Sequence, residues 1–422
     1  MNVLEKRDKI IELYGDSICD ICLGRQFTQL YMGKENGRIG SVLRQVKTED
    51  QIEALLAEDH DLQTGDYCKL CNGIFAHMND VDSLYGKLLK KAKAYEYNNF
   101  LIGTVIPQEL QDEEEKLWEK AGIEETEPLK KELNRVIGKK FAQETGKIAE
   151  FEAPDINFIV DFRSNGVDVS VNSLFIKGRY TKHVRGIPQT KWPCRTCNGS
   201  GCKKCDFTGK QYQESVEELV AKVPLLKFEA MGESYHGQGR EDIDALMLGE
   251  GRPFILELKK PRLRFTDLKK LEEEINASTD KVQVKNLEYS TKKEVRELKA
   301  EPSDKTYQVI IKVEGKITND ELEKLTAEFE NKKLDQRTPV RVAHRRADKV
   351  RQRKIYYVKP ELIDESTFKA EIKTEAGTYV KELISGDEGR TKPSFSAFLG
   401  KQCKCEELNV AEVHDDKKNE KE

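Results

Sequence analysis

The sequence predicts an α+β protein: a second half on a mixed or antiparallel sheet, preceded by a cysteine-bearing accessory half. Three observations carry that expectation. The 422 residues suffice for two to four domains. Eight of the ten cysteines stand in C-x-x-C pairs, all before residue 206. Beyond Pro224, segments with strand and helix patterns are mixed, which suits α+β better than an all-helical or all-strand fold.

Taken in order, "MNVLEKRDKIIELYG" reads as an amphipathic helix, with acids and bases mixed through it and no long apolar core. Residues 83–97 have helical apolar spacing with lysines on the other face, and "FLIGTVI" (100–106) has a buried-strand pattern. "PQELQDEEEKLWEK" reads as an acidic helix turned to solvent. "INFIVDF" and "VDVSVNSLFIKGRY" read as strands around "RSNG" (163–166), a hairpin turn signal. "QESVEELVAKVP" reads as a helix ended by Pro224, a domain boundary. Strands "PFILELKK", "KVQVKNLEY" and "KTYQVIIKV" then interleave with helices "TDLKKLEEEINAS", "TKKEVRELKA" and "TNDELEKLTAEFEN". "FKAEIKTEAGTYVKELISG" reads as strand, glycine turn and helix, and the tail as disordered.

Charge narrows the function. Charged residues are 35% of the chain and hydrophobic ones 37%, yet the net charge is −4, so anion binding must be local. Two stretches supply it. Lys177–Lys210 has nine Lys or Arg against Asp206 alone, and Lys332–Lys354 has ten against Asp335 and Asp348. The first also carries two cysteine pairs, Tyr180 and Trp192, a combination that suits nucleic-acid phosphate better than a plain solvated face. No apolar run reaches 18 residues, so no membrane span is expected and a cytoplasmic location follows.

In such a compartment, ten cysteines are metal ligands before they are disulfides. Two residues between thiolates let a tight turn point both sulfurs at one tetrahedral ion. The spacing predicts one structural zinc on Cys19, Cys22, Cys68 and Cys71, and leaves open a second on Cys194, Cys197, Cys202 and Cys205. Cys403 and Cys405 read as free thiols. Four sulfurs leave no open coordination position, so the chemistry lies elsewhere.

The stretch "GQGREDIDALMLG" (237–249) offers it, with Arg240 and the acids Glu241, Asp242 and Asp244 between glycines. One reading is a magnesium-dependent nuclease on Asp244, Glu257 and Lys259. Another is nucleophilic catalysis by Asp242 at the entry to a strand starting at Ile243, with Arg240 touching phosphate or filling the gap left by a flipped nucleotide. Tyr307, able to stack on a base, and Lys381, able to keep an aspartate ionised, favour the second, and Tyr379 accompanies them. A zinc RNA-binding module without enzymatic activity is the third reading. No G-x-G-x-x-G loop follows a strand, so no nucleotide cofactor is expected.

"GRED", "KTYQVII" and "GTYVKEL" resemble the motifs of pseudouridine synthases. "GREDIDALMLGEGRPFILELKKPR" and "GTYVKELISGDEGRTKPS", with the cysteine segment "CRTCNGSGCKKCDFTGKQYQESVEELV", resemble the archaeal and eukaryotic branch that isomerises T-loop uridines of tRNA. The resemblance implies a THUMP-like, zinc-binding α/β accessory region over 1–225, a pseudouridine synthase catalytic domain over 226–408 and a disordered tail over 409–422. It implies isomerisation of uridine to pseudouridine at tRNA positions 54 and 55, with no catalytic cofactor. Asp242 would be the nucleophile, attacking the ribose C1′ or the uracil C6. Tyr307 would stack on the target base, Tyr379 would line the pocket, Arg240 would meet the RNA, and Lys381 would pair with Asp242.

Overall fold

In the computed structural model, which describes residues 2–58, 67–76, 84–124, 126–343 and 346–415, the alternation read at 100–106 becomes a strand with its even positions buried. It belongs to the first of two units, Met1–Asn172 with Arg262–Arg264; the second is Ser173–Pro261 with Phe265–Glu422. The expected boundary at 225 and the observed one at 172/173 differ. The strand expected over "VDVSVNSLFIKGRY" is two strands, one in each unit, separated by only Asn172 and Ser173.

The first unit runs α1 (Val3–Tyr14), α2 (Asp20–Gly24), α3 (Asn36–Gln45), α4 (Asp50–Leu55), α5 (Leu84–Ala92), β1 (Asn99–Val105), α6 (Gln108–Ala121), α7 (Leu129–Thr145), β2 (Ile148–Ala149), β3 (Ile156–Asp161) and β4 (Gly166–Val171). The sheet order is β2-β1-β3-β4. β1 is parallel to both its neighbours, while β3 and β4 form the antiparallel hairpin that "RSNG" announces, with Asn165 at φ 51° in the turn. Phe141 of α7 meets Phe100 and Phe158 of the sheet at ring-centroid distances of 4.6 and 5.5 Å. That contact anchors the helix on the sheet by aromatic burial.

α6 is not turned to solvent. Leu110, Leu117 and Ala121 are buried, and so is Glu114, which pairs with the fully buried Arg25 and accepts from the Leu129 amide at 2.9 Å. Four consecutive acids (112–115) mask the one that turns inward.

The second unit holds β5 (Leu174–Lys182), α8 (Val216–Lys227), β6 (Gly232–Gly237), β7 (Leu246–Lys259), α9 (Leu268–Ser278), β8 (Val282–Ser290), α10 (Lys292–Ala300), β9 (Asp304–Val313), α11 (Asn319–Phe329), β10 (Lys333–Arg337), β11 (Val350–Asp364), β12 (Thr367–Thr374), α12 (Val380–Ser385), β13 (Thr391–Lys392), α13 (Phe395–Leu399) and β14 (Cys403–His414). Its sheet has the order β13-β10-β11-β12-β9-β14-β7-β5-β8, with β6 on the other edge of β7. Every pairing is antiparallel except β14 with β7, and that one has only two residue pairs, Asn409 with Leu246 and Val410 with Met247. The sheet is therefore two halves joined by a short parallel seam. Each half has its own core, one around Phe329, Phe368 and Phe395 and the other around Phe228, Phe254 and Leu271.

Two expectations fail here. α8 continues through Pro224 to Lys227: the buried ring adds apolar packing against the lost amide donor and the clash with the carbonyl one turn earlier. Residues 409–414 belong to β14 and pair with β9, so they are no tail; residues 416–422 lie outside the described residues. Among the described residues no helix is long and apolar enough to cross a membrane.

In the first unit, α2 and α3 cross at glycines. A Cβ on Gly40 would lie 1.9 Å from the Asp20 carbonyl oxygen, and one on Gly24 would lie 1.8 Å from that of Asn36. Gly40→Ala must push the helices apart and is expected to destabilise the first unit by about 3 kcal/mol. A lowered thermal transition reads that loss, and an unchanged one contradicts the close crossing.

Candidate active site

The loop joining β6 to β7 (238–245) crosses the seam between the two half-sheets. Its shape is set by a buried acid. Glu241 accepts from Arg252 Nε at 2.8 Å and from the Tyr180 hydroxyl at 2.8 Å, and both partners are fully buried. Arg252 also donates to the Gln238 carbonyl at 2.9 Å, and Gln189 bridges the Tyr180 hydroxyl and the Gly239 carbonyl. Lys182, fully buried, lies 4.0 Å from Glu241 and donates to the carbonyls of Asp242 and Ile243 at 3.3 Å. Burying such charges is costly, and stripping one partner from a buried pair typically costs about 3–5 kcal/mol. The loop is thus pinned from below through Glu241 and through its own carbonyls.

With Glu241 turned inward, its neighbour Asp242 points into a cleft of about 640 Å³. The chain makes a turn at 242–245, the Ala245 amide donating to the Asp242 carbonyl at 3.0 Å, and β7 begins at Leu246, not at the expected Ile243. Tyr307 on β9, Tyr379 at the start of α12, Lys381 in its first turn and Arg240 all line the same cleft. Residues from three distant segments meet because β9 and β14 carry one side of the seam while the loop and β7 carry the other.

Two cations attend Asp242. Lys381 Nζ is 3.4 Å from its carboxylate, and Arg341 Nη1 is 3.3 Å from it. Lys381 stands closer to Asp244, at 2.7 Å, so it bridges the two aspartates and is not the partner of Asp242 alone. Burial pushes the pKa of the Asp244 carboxyl up, but the bond and charge of Lys381 outweigh it and hold the carboxyl below its usual range. Arg341 is held by Glu382 at 2.6 Å and lies over the Tyr379 ring at 6.0 Å. It was not singled out from the sequence: it is one of ten bases in 332–354, and only the turn after β10 sets it apart. Arg346 donates to the Tyr379 hydroxyl at 3.2 Å.

Burial pushes the Tyr307 hydroxyl up to about 12, with Arg252 opposing and Asp242 adding to the rise. At neutral pH the ring is an uncharged stacking surface. On the same face of β9, Lys305 lines the cleft and donates to the Ser303 carbonyl at 2.6 Å.

The alternative metal site is not assembled. Glu257 accepts from Ser173 at 2.8 Å and pairs with His236 at 3.1 Å, while Asp244 is engaged by Lys381. Among the described residues, the groups of three or more ligand side chains close enough to hold an ion are the two cysteine clusters, Cys19/Cys22/Cys68/Cys71 and Cys194/Cys197/Cys202/Cys205. Sulfurs approach to 3.8 Å in the first (Cys19 to Cys71) and to 3.7 Å in the second (Cys202 to Cys205). Zinc–sulfur bonds of about 2.3 Å in a tetrahedron give edges of about 3.8 Å. Both clusters therefore fit a four-sulfur ion, and the pairing between segments is the one expected. Cys403 and Cys405 are free thiols on β14.

The first basic stretch is mostly consumed within the fold. Lys177, Arg179, Arg185, Lys191 and Lys210 are ion-paired and Lys182 is buried, which leaves Arg195, Lys203 and Lys204 exposed on the knuckle. In the second stretch, Arg345 lies outside the described residues.

Burial and the charge of Arg252 bring the Lys305 ammonium down to about 8. The unfolded chain then binds more protons between pH 8 and its ordinary value of 10.5, so the penalty is full below pH 8 and fades as pH rises through that window. Stability of the wild type relative to Lys305→Met is expected to increase from pH 8 to 10.5. Denaturant titrations at several pH values check this, and a flat difference contradicts it.

Comparison with known proteins agrees with this architecture. The family model "Pus10, C-terminal" matches residues 175–414 and "Pus10 THUMP domain, archaeal" matches 85–161. A curated tRNA pseudouridine synthase Pus10 of Methanocaldococcus jannaschii is 41% identical, covering 96% of this chain and 93% of its own length. Proteins of the same name from Methanothermobacter marburgensis and Pyrococcus furiosus are each 39% identical; they cover 98% of this chain, and 99% and 98% of their own lengths. A catalytic-unit match that begins where the second unit begins, a THUMP match inside the first, and relatives aligned nearly end to end make this chain a member of the Pus10 family of pseudouridine synthases.

Proposed function

We propose that this chain isomerises uridine to pseudouridine in the T loop of tRNA, at positions 54 and 55, with Asp242 as the nucleophile. The observation that carries the reading is the pairing of one cleft-facing carboxylate with two cations and an uncharged tyrosine floor, in a chain whose relatives are named tRNA pseudouridine synthases. The reaction adds and removes nothing overall. The target nucleotide leaves the stack and enters the cleft. The Asp242 carboxylate attacks the ribose C1′ or the uracil C6, the N1–C1′ bond breaks, and the base turns. A C5–C1′ bond forms, the C5 proton is lost to solvent as N1 gains one, and the carboxylate is released.

The other residues serve that sequence. Lys381 and Arg341 set positive charge beside the Asp242 carboxylate and orient it for attack. Tyr307 supports the face of the turning base, and Tyr379, fixed by Arg346, closes the opposite side. Arg240 meets the RNA at the rim. The two cysteine clusters hold structural zinc, which supplies rigidity and no chemistry. The cytoplasm is the compartment where tRNA substrate and reduced thiols coexist.

Asp242→Asn is expected to abolish pseudouridine formation while tRNA binding persists, because the amide is nearly isosteric but forms no ester. Asp244→Asn loses its bond to Lys381 and is expected to slow the reaction about ten-fold. Nucleotide-resolution mapping of a tRNA transcript after incubation with each variant reads both. Isomerisation by Asp242→Asn, or magnesium-dependent chain cleavage abolished by Asp244→Asn, contradicts the assignment.

Elemental analysis of protein purified without added metal is expected to find about two zinc ions per chain, falling to about one in the double variant Cys68→Ser, Cys71→Ser. A metal-free wild type contradicts the zinc reading.

A further inference from the structure

Between β5 and α8 the chain forms a small hairpin whose tip is the second cysteine cluster and whose stem carries two aromatic rings. The Gln211 amide donates to the Trp192 carbonyl at 2.9 Å, Pro193 pairs with Lys210, and the Cys194 amide donates to the Gly209 carbonyl at 2.7 Å. Trp192 and Tyr212 therefore face each other across the stem, edge to face at 5.5 Å. On the other side, the Arg240 guanidinium lies 5.3 Å from the centre of the Trp192 ring. The indole is only partly covered. It lines a second cleft of about 220 Å³ that shares Arg240, Glu241, Asp242, Arg341 and Lys381 with the main one.

A large aromatic face kept in a cleft with three cations (Arg240, Arg341, Lys381) and three acids, of which Glu241 is paired with Arg252 and Asp244 with Lys381, is poorly placed for apolar packing. It is well placed for a nucleobase, which brings a π-face to the indole and a phosphate to the cations. We propose that Trp192, seated by Tyr212 and Arg240, is a stacking platform for the unpaired nucleobase that flanks the uridine being isomerised, and that the second cysteine cluster holds this platform at the edge of the site. The inference rests on the reading of the cleft as a pseudouridine synthase site. Trp192 is a positioning residue: it seats the RNA and touches no reacting atom. Stacking accepts any base, so the platform sets depth and register of the loop and leaves sequence choice to other contacts.

The chain has two tryptophans, and Trp118 lies in the first unit with its indole donating to Gln26 at 2.9 Å. The full-length Trp118→Phe variant therefore reports on Trp192 alone. Titration with an RNA hairpin bearing the T-loop sequence is expected to quench its fluorescence, and the same hairpin with abasic nucleotides on both sides of the target is expected to bind without quenching. In parallel, Trp192→Ala is expected to raise KM for tRNA about ten-fold or more with kcat little changed, and Trp192→Phe to recover most of the loss. Bound RNA that leaves the fluorescence unchanged, or quenching that survives abasic neighbours, overturns the platform. A wild type that quenches with RNA but forms no pseudouridine leaves the platform standing and overturns the catalytic reading instead.

Discussion

The candidate site depends on one buried ion pair. Glu241 and Arg252 sit with almost no solvent exposure at a separation of 2.8 Å, and Tyr180, Gln189 and Lys182 take up their remaining hydrogen-bonding capacity. A pair so buried gains little net stability over apolar packing, but it defines geometry sharply, because any displacement leaves a charge uncompensated. Here the geometry defined is that of the next residue. With Glu241 drawn down between β5 and β7, the following peptide turns and the Asp242 carboxylate faces up into the cleft.

Two cations flank that carboxylate. Arg341 and Lys381 stand 3.3 and 3.4 Å from it, and each is bonded more tightly to another acid, Glu382 or Asp244. The seam between the half-sheets supplies the space. A parallel contact of two residue pairs opens a crevice in an otherwise continuous sheet, and Tyr307 of β9 forms its floor.

Much of this was legible in the sequence, for physical reasons that differ by residue. C-x-x-C spacing is a local constraint on a tetrahedral site, so the cluster of Cys19, Cys22, Cys68 and Cys71 could be read from it, while the second, closed over only four residues between its pairs, was left open by spacing alone. Asp242, Tyr307 and Lys381 could be read because short motifs carry them. Glu241 could not be ranked above its neighbours, since its burial depends on Arg252, Tyr180 and Lys182 arriving from other strands. Arg341 was hidden in a run of bases, and most bases of the first run turned out to be paired within the fold, a fact set by tertiary partners alone. Long strands such as β11 and β14 escaped notice because charged residues on their open faces interrupt the apolar pattern.

The central claim is that a carboxylate on the chain performs the isomerisation unaided. Its most direct measurement is nucleotide-resolution pseudouridine mapping of an unmodified tRNA transcript after incubation with purified wild-type protein, with free magnesium chelated and no nucleotide or organic cofactor added. The account predicts pseudouridine at the two T-loop uridines of an intact transcript. An unmodified T loop, or a requirement for an added cofactor, would contradict it.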